Sequence, residues 1–429
     1  MTRTFYTALL YVLIIFTPFK LVWRARKQPE YLQHWYERYG FYGQSKQQSQ
    51  KPVIWLHCVS VGETRAAAPL VHALMLQHPN HQILLTHATP TGRATAKQLF
   101  GDSVQSVYLP YDVPFAVRRF LAHFKPTVGA LMETELWFNL IAACKQQKVP
   151  LLLVNARLSE KSARGYAKLG TLIKQGLTDL SAIAAQTEDD AARLKTLGAT
   201  NVSVMGNLKF DVSPPKEALL LGEKLRTLIG KVRPVFLAAS TRDGEETLIL
   251  DAILNVSITN LLTIIVPRHP QRFDEVESLF KARNLAYEKR SNLNLTSENF
   301  GVGKLKDTTQ VLLGDSMGEL FTYYAACDVT FIGGSLLPFG GQNLIEACAV
   351  GKPSLVGPHT FNFTQVANLA IEHGATKRVQ NIADLAATLN TLFTGQNQQQ
   401  KMAVAALQFS QNNQGATARV TQLIGQFIE

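Results

Sequence analysis

Residues 53–74, VIWLHCVSVGETRAAAPLVHAL, contain the pattern that decides the fold class. Val53–Leu56 is a short apolar run of the kind that forms a buried strand. Gly62 permits a tight turn, and the alanine-rich stretch after it favours a helix. A buried strand followed at once by a helix predicts one step of a parallel sheet that carries helices on both faces.

The same alternation continues after this unit and restarts once along the chain. The stretches between the apolar runs are long enough for crossover helices. In a chain of 429 residues, two such series predict two doubly wound, Rossmann-like α/β domains whose carboxyl-terminal sheet edges face a shared cleft. The predicted strands are Val53–Leu56, Ile83–Thr86, Val128–Met132, Leu151–Val154, Ile183–Ala185 and Val202–Met205, then Val235–Ala238, Leu262–Val266, Val311–Leu313, Val329–Ile332 and Ser354–Val356.

The segment between the two series is Asp211–Lys216, DVSPPK, whose consecutive prolines are typical of an interdomain connection. We therefore predict an amino-terminal domain over residues 28–213 and a carboxyl-terminal domain over residues 214–429. The last helix of the chain is expected to pack back on the first domain. Residues 1–27 are predicted to form a separate membrane anchor.

The composition indicates a folded protein, because 46% of the residues are hydrophobic and 17% are charged. The four cysteines stand singly, with no Cys-x-x-Cys or Cys/His spacing. We therefore predict neither a zinc site nor a disulfide framework, but small buried side chains in a reducing compartment. These cysteines are Cys58, Cys144, Cys327 and Cys348.

The formal net charge is +11, and more than half of this excess lies in Met1–Lys51, which has eight Lys and Arg against two Glu. A basic segment rich in aromatic residues suits an anionic membrane surface. Nucleic acid is the competing partner class, but the chain contains no recognisable nucleic-acid-binding motif. We predict a membrane partner and no nucleic acid.

The amino-terminal stretch Phe5–Phe19, FYTALLYVLIIFTPF, carries no charge, and Leu21–Trp23 extend its apolar character. Its length is at the short end for a spanning helix, which needs about 20 residues. The basic residues of Arg24–Lys27 follow where a signal peptide would be cleaved, and they predict that the rest of the chain stays on the cytoplasmic side. Either a short uncleaved anchor or an interfacial helix fits this pattern. A buried helix of the first domain is the alternative.

Glu63 is predicted to lie at the start of a helix above the carboxyl edge of the first sheet. The helix dipole favours a carboxylate there and keeps it ionised, as a general base must be. The alternative is that Glu63 only supports the first turn of the helix, which is a common use of Glu. Its position is compatible with both roles.

Two carboxylates, Glu133 and Glu135, directly follow the strand Val128–Met132. Carboxylates at the edge of a buried strand are costly unless they are paired or used. One could orient a basic partner while the other faces the ligand, or both could join an ion-pair network with Arg157. Lys209, at the interdomain edge, is either a cation for charge on a leaving phosphate or a solvated surface lysine.

In the second domain, the segment Pro267–His269 follows a long apolar strand. Arg268 offers a fork for phosphate or carboxylate, and His269 either donates to the same ligand or is structural. Residues 314–319, GDSMGE, form a second strand-to-helix turn whose amides can hold an anion, although this signal is weak alone.

A third segment of the second domain, residues 340–346, reads GGQNLIE. Its glycines allow another molecule to approach the backbone closely. Asn343 is predicted to begin a helix, which places Glu346 one turn later on the same face. Glu346 can accept hydrogen bonds from ribose hydroxyls, or it can cap the helix by reaching back to Asn343.

Together, these residues resemble the glycosyltransferases of the GT-B fold and, more closely, the Kdo transferases, which attach 3-deoxy-D-manno-octulosonic acid (Kdo) to a lipid A precursor. The amino-terminal segment is also similar to the membrane attachment of that family. The matching stretches run in order from residue 57 to residue 353 and are HCVSVGETRAA, METELW, NARLSEKSARGY, GNLKFD, AASTRDGEE, VPRHPQRF, LGDSMGEL and GGSLLPFGGQNLIEACAVGKP.

The resemblance implies an inverting transfer of Kdo from CMP-Kdo to lipid IVA in lipopolysaccharide core biosynthesis, at the cytoplasmic face of the inner membrane. It implies that Glu63 is the general base and that Glu133 and Lys209 stabilise the transition state, with Glu135 able to exchange roles with Glu133. No Asp-x-Asp pair supplies a metal site in the expected place, so no metal or other cofactor is expected. The residues implied to bind CMP are Pro267, Arg268, His269, Ser316, Met317, Gly318, Asn343, Leu344, Ile345 and Glu346.

Two other functions fit parts of the pattern. One is a GT-B transferase or epimerase that uses a UDP-sugar, and a panel of CMP- and UDP-sugar donors would separate it from a Kdo transferase. The other is a non-catalytic membrane scaffold that retains a nucleotide-binding fold, in which Glu63→Ala would leave function intact. The basic amino-terminal segment and the specificity of the combined motifs favour Kdo transfer.

Overall fold

The computed structural model of the chain describes residues 1–43, 51–295 and 305–428. The chain divides into two compact units. The first contains Met1–Asp211 together with Asn413–Glu429, and the second is Val212–Asn412. The division thus falls inside the proline-containing segment Asp211–Lys216, and the end of the chain belongs to the first unit.

The first unit is built on a parallel sheet of seven strands in the order β3-β2-β1-β4-β5-β6-β7. Successive strands run outward from β1 on one side and from β4 on the other, so the order reverses between these two strands. The strands are β1 (Val53–His57), β2 (Gln82–His87), β3 (Gln105–Tyr108), β4 (Pro126–Met132), β5 (Leu151–Ala156), β6 (Ala182–Ala185) and β7 (Val202–Val204).

The second unit has its own parallel sheet of seven strands, in the order β10-β11-β9-β8-β12-β13-β14. Here the order reverses between β8 and β12. The strands are β8 (Val235–Thr241), β9 (Leu262–Pro267), β10 (Tyr287–Lys289), β11 (Val311–Leu313), β12 (Val329–Ile332), β13 (Ser354–Val356) and β14 (Thr376–Arg378).

Helices connect the strands of both sheets, as parallel strand order requires. The last helix of the chain follows the final strand and packs in the core of the first unit. The α-helices are α1 (Arg3–Ile14), α2 (Thr17–Ala25), α3 (Val61–Gln77), α4 (Pro90–Phe100), α5 (Pro114–Phe124), α6 (Phe138–Gln146), α7 (Glu160–Ala167), α8 (Thr171–Asp179), α9 (Glu188–Thr196), α10 (Lys216–Ile229), α11 (Glu245–Ile253), α12 (Phe273–Ala282), α13 (Leu320–Ala326), α14 (Ile345–Ala349), α15 (Thr364–Glu372), α16 (Ile382–Thr394), α17 (Gln396–Asn413) and α18 (Ala416–Gly425).

The prediction of two doubly wound α/β units is confirmed, and every predicted strand is present. The sequence pattern missed β3, β10 and β14, each of which lies at an edge of its sheet. Their sequences, QSVY, YEK and TKR, contain no apolar run. An edge strand has a neighbour on one side only and is less buried than a central strand, so it does not need such a run.

The central strands are buried on both faces, which explains their continuous apolar character. In β1 every residue is buried, and Trp55 is completely inaccessible. Gly129 on the adjacent β4 makes room for this indole, since a Cβ there would lie 2.5 Å from Trp55 Cε3. All four cysteines are free and buried, as predicted.

The amino-terminal segment forms two helices, α1 and α2, that are bent by 49° relative to each other. Among the described residues no single helix is long and apolar enough to cross a membrane, and only this bent pair meets the criterion by length and composition. Helix α1 has no fully buried residue, although Tyr6 on one side of it packs against the core of the first unit. Large apolar side chains of the two helices and of the break between them are exposed. Phe5 in α1 is 63% exposed, Phe16 in the break is 60% exposed and Phe19 in α2 is 73% exposed.

Candidate active site

The carboxyl end of the first sheet brings together side chains that are distant in the sequence. Strands β1 and β4 are neighbours, and the strand order reverses between them. In open parallel sheets, ligands bind at such a switch point, beyond the carboxyl ends of the strands. Glu63, in the first turn of α3, follows β1, and Glu133 follows β4 immediately.

Glu63 lies in a capping arrangement at the start of α3. Ser60 is the N-cap residue, and its hydroxyl donates to Glu63 Oε1 at 2.9 Å, while the Val59 N–H donates to Oε2 at 2.8 Å. Burial raises the pKa of Glu63, and Glu133 raises it further, whereas the two hydrogen bonds and Lys209 lower it. Burial is the largest of these effects, so the pKa of Glu63 is raised overall despite its position at the helix start. Support of the helix is seen directly in the hydrogen bonds from Val59 and Ser60.

Glu133 is held in an unusual backbone conformation. Its φ of 58° lies in the left-handed region, and its N–H donates to Val154 O on β5 at 3.0 Å. Such strain in a non-glycine residue costs about 1–3 kcal/mol and is found most often at functional sites. Glu133 Oε1 lies 3.5 Å from Lys209 Nζ. The ion pair is thus formed with Lys209. Arg157 is exposed, its carbonyl oxygen accepts from the Thr134 hydroxyl, and it forms no salt bridge with any residue that the structure describes.

Lys209 lies in a short 3₁₀ turn, Leu208–Phe210, after β7. The Leu208 N–H donates to Asn155 Oδ1 at 3.0 Å, which ties this turn to the end of β5. Asn155 is completely buried and, like Glu133, has a positive φ, 54°. Lys209 is therefore a partly buried cation that the fold positions beside Glu133, rather than a solvated surface lysine.

Glu135 is the third carboxyl group at this edge. Its pKa is raised to about 7, first by burial and then by the charges of Glu63 and Glu133, while the indole of Trp137 opposes the rise. The pKa of the buried Cys58 thiol is also raised, first by burial and then by Glu63 and Glu133. Three carboxyl groups and one lysine thus share this edge, and the pKa values of Glu63 and Glu135 are both raised, a pattern found often at functional sites.

In the second unit, the segment Pro267–His269 ends β9 beside the switch point between β8 and β12. The Arg268 N–H donates to Thr241 O at the end of β8, at 3.0 Å. His269 is exposed, and its pKa is lowered by partial burial and by the positive charges of Arg242, Arg268 and Arg272. Three arginines thus lie near the His269 side chain at this edge of the sheet.

Two of these arginines, Arg242 and Arg272, were not singled out from the sequence. Arg272 makes a bidentate pair with Glu246, with N–O distances of 2.6 and 3.1 Å. Glu246 is only 1% exposed. The Arg242 guanidinium lies 4.9 Å from the centre of the Phe339 ring. The sequence contained one signal for a basic partner such as Arg272, namely the two glutamates of the DGEE sequence after β8. A buried carboxylate needs a basic partner.

Glu245 is a further residue that sequence reasoning did not identify. It is completely buried, and it accepts hydrogen bonds from the N–H groups of Arg242, Gly334 and Leu336. It thereby fixes the glycine-containing loop after β12 against the end of β8. Gly333 is required in this loop because a Cβ there would lie 2.5 Å from Ser240 O.

The turn containing Ser316, Met317 and Gly318 follows β11, which is next to β9 in the sheet. The Ser316 hydroxyl lies 2.7 Å from Glu319 Oε2 and 2.6 Å from the Tyr323 hydroxyl. Gly318 has a φ of 81°, which favours glycine, and Met317 is 57% exposed. The turn is thus internally ordered, with its Met317 side chain open to solvent.

One prediction about the segment with Asn343, Leu344, Ile345 and Glu346 is wrong, because the helix does not begin at Asn343. Helix α14 begins at Ile345 with Leu344 as its N-cap residue, so Asn343 lies before the helix. Asn343 Oδ1 accepts from the Ile345 N–H, and Asn343 Nδ2 donates to Glu346 Oε1, each at 3.1 Å. The predicted link between Asn343 and Glu346 exists, and it orients the Glu346 carboxylate.

Within the described residues, no group of three or more His, Cys, Asp or Glu side chains is arranged to hold a metal ion. A cavity of about 590 Å³ lies in the second unit. It is lined at the amino-terminal ends of β9 and β11, by residues such as Thr263 and Val311. None of the predicted site residues borders this cavity, which therefore belongs to a different edge of the sheet.

The chain is similar to known proteins over most of its length. Residues 33–212 match the family model described as 3-Deoxy-D-manno-octulosonic-acid transferase (kdotransferase). The chain is 43% identical over 385 residues to the 3-deoxy-D-manno-octulosonic acid transferase of Bordetella pertussis, covering 87% of each protein. It is 38% identical to the protein of the same name from Haemophilus influenzae, over 100% of this chain and 99% of that protein.

Among solved structures, the chain is similar to Acinetobacter baumannii MurG, with a TM-score of 0.55 and 14% identity, covering 88% of this chain and 99% of that chain. A likeness at this identity concerns the fold alone, and it confirms the predicted GT-B architecture of two Rossmann-like domains. The identity to the Bordetella pertussis and Haemophilus influenzae proteins shows that the chain belongs to the family of 3-deoxy-D-manno-octulosonic acid transferases and is a glycosyltransferase.

Proposed function

We propose that this enzyme transfers Kdo from CMP-Kdo to a lipid A precursor, lipid IVA, with inversion at the anomeric carbon. The observation that carries the proposal is the pairing of Lys209 with Glu133 beside Glu63 at the switch point of the first sheet. A base and a cation are what a sugar transfer to a hydroxyl needs when a phosphate leaves.

In this mechanism Glu63 accepts the proton of an acceptor glucosamine hydroxyl. The hydroxyl oxygen forms a bond to the anomeric carbon of Kdo. The bond from that carbon to the cytidylate phosphate oxygen breaks, and its electron pair leaves with CMP. A single displacement of this kind inverts the configuration, and Glu133 and Lys209 stabilise the charge that develops.

The proposed donor site is the carboxyl edge of the second sheet, where Pro267–His269, Ser316–Gly318 and Asn343–Glu346 bind CMP. The arginines near His269 support this proposal, because guanidinium groups match phosphate oxygens in charge and geometry. We propose that Arg268 and Lys209 neutralise the phosphate charge, so that no metal or other cofactor is required. Glu346, oriented by Asn343, accepts hydrogen bonds from the ribose hydroxyls.

We further propose that the enzyme attaches to the cytoplasmic face of the inner membrane through α1 and α2. The exposed Phe5, Phe16 and Phe19 supply apolar contacts, and the basic residues Arg24–Lys27 supply attraction to anionic headgroups. Such attachment brings the active site to an acceptor whose acyl chains stay in the bilayer.

The test uses purified full-length enzyme, lipid IVA and a panel of CMP- and UDP-sugars, in the presence of a chelator. Mass spectrometry of the lipid should show the addition of Kdo from CMP-Kdo alone, and NMR should show the inverted anomer. The same spectra give the number of Kdo residues added. Transfer from a UDP-sugar, or activity abolished by the chelator and restored by a metal ion, would contradict the proposal.

A further inference from the structure

Asp112 is a buried carboxylate that the transfer mechanism does not use. It is 3% exposed and precedes α5. Its two oxygens accept the N–H groups of Asn139, at 3.0 Å, and Leu140, at 2.8 Å. These residues are in the first turn of α6, whose own N-cap residue, Trp137, makes no side-chain cap. Asp112 therefore caps α6 from a different segment of the chain.

Helix α1 completes this cap. The Tyr6 hydroxyl donates to Asp112 Oδ2 at 2.8 Å, and the Thr7 hydroxyl donates to Asn139 Oδ1 at 2.8 Å. The Tyr6 ring also meets the Phe138 ring edge-on, with centroids 5.3 Å apart. The amino-terminal helix thus contacts both the first turn of α6 and the carboxylate that caps it.

The first turn of α6 is also the end of the loop that carries the candidate catalytic carboxylates. Only the segment Glu133–Trp137 separates the last residue of β4 from α6. Because β4 is a central strand, the position of this loop depends on where α6 begins. The left-handed backbone of Glu133 is costly and persists only where the surrounding structure holds it.

We propose that Tyr6 and Asp112 are positioning residues for catalysis. By holding the first turn of α6, α1 keeps the Glu133–Glu135 loop beside Glu63. Docking of the amino-terminal helix on α6 therefore also aligns the active site. This inference rests on the proposed function, and it makes α1 more than a membrane attachment. An enzyme with α1 undocked binds its donor normally but transfers sugar slowly.

The test compares Tyr6→Phe with Tyr11→Phe in full-length enzyme, using CMP-Kdo and detergent-dispersed lipid acceptor. Tyr11 is a matched control on the same helix, 42% exposed and stacked on Phe115 rather than on α6. Tyr6→Phe should lower kcat about 10-fold and leave the KM for donor unchanged, since small misplacements of catalytic groups reduce rate by up to about 100-fold. Tyr11→Phe should stay within about twofold, as surface substitutions do.

Hydrogen exchange supplies a readout independent of rate. Amides of residues 133–140 should exchange faster in Tyr6→Phe and at the original rate in Tyr11→Phe. Thr7→Val, which removes the neighbouring hydroxyl contact, should change kcat and exchange in the same direction by a smaller factor.

Two results would overturn the inference. One is a lowered melting temperature of Tyr6→Phe with kcat and exchange unchanged, which would make the contact purely structural. The other is a loss of kcat with an equal rise in the KM for donor, which would indicate general disruption. An inactive wild-type enzyme would instead refute the proposed function, so the two failures are distinguishable.

Discussion

The switch points of the two sheets occupy the same topological position but carry different sets of charged side chains. At the first, Glu63, Glu133 and Glu135 surround a single Lys209, and the pKa values of Glu63 and Glu135 are raised. At the second, three arginines lower the pKa of an exposed histidine. In the proposed function, one scaffold thus has a proton-accepting edge and an anion-binding edge, because function depends on the side chains that follow the strands.

The two glutamates that follow β8 differ from Glu63 and Glu133 in what they contact. In the second unit, Glu245 accepts three backbone N–H groups and Glu246 pairs with Arg272, so both are fully engaged in structure. In the first unit, Glu63 and Glu133 remain partly exposed. A carboxylate with open access to solvent can react, whereas one that is saturated by backbone donors holds a loop in place.

The comparison is tested most strongly by Glu63→Gln, which keeps the shape of the side chain but removes the base. We expect kcat to fall by at least about 100-fold, the usual contribution of a positioned general base. Glu160→Gln is the matched control, because Glu160 is also in the first turn of a helix, α7, but is exposed. A loss below tenfold in steady-state kinetics would assign the base to another residue and leave Glu63 as a helix cap.

Arg268→Ala tests the anion-binding edge. It should weaken CMP binding about 10-fold or more, since a hydrogen bond to a charged group contributes about 1.5–3 kcal/mol. Calorimetric titration should show acceptor affinity unchanged. Arg283→Ala is the control, because Arg283 pairs with Asp251 beside the separate cavity. If acceptor affinity falls equally, the assignment of donor and acceptor to different units is wrong.

The pH dependence of kcat/KM gives the finest test of the proton-accepting edge. The base must be ionised, so activity should fall as the pH drops through the raised pKa of Glu63. Lys209 lowers that pKa and Glu133 raises it. Lys209→Met should therefore move the acid limb to higher pH and Glu133→Gln to lower pH, because each variant removes one of these nearby charges.

The direction of these two shifts is the decisive result, because both variants also lower the rate. Profiles that move in the same direction would show that the titrating group is not Glu63. Glu188→Gln, at an exposed position in the first turn of α9, should leave the acid limb unchanged.

The central strands of each sheet could be predicted from the sequence, whereas most of the edge strands could not. Central strands such as β1 and β9 were found because burial on both faces demands an apolar run. Edge strands such as β10, with the sequence YEK, were not predicted, because an edge strand does not need an apolar run. Arg272 lay unrecognised within a quoted motif, since nothing local indicated that it pairs with the buried Glu246.

The site residues show the same division. Glu63 was identified because a strand, a turn and a helix start are local features of the sequence. Its raised pKa could not be anticipated, since it depends on burial and on Glu133, which arrives from β4. Asp112 was overlooked because its partners, Tyr6 and Asn139, come from helices before and after it.

The amino-acid sequence by itself determined the two strand-helix series, the hinge between them and the polar residues that end each strand. These features depend on hydrophobic periodicity and turn chemistry, which act over a few residues. Only the tertiary structure decided which of these residues meet. Lys209 and Glu133 are 76 positions apart and Tyr6 and Asp112 are 106 apart, so their contacts depend on strand order and helix docking.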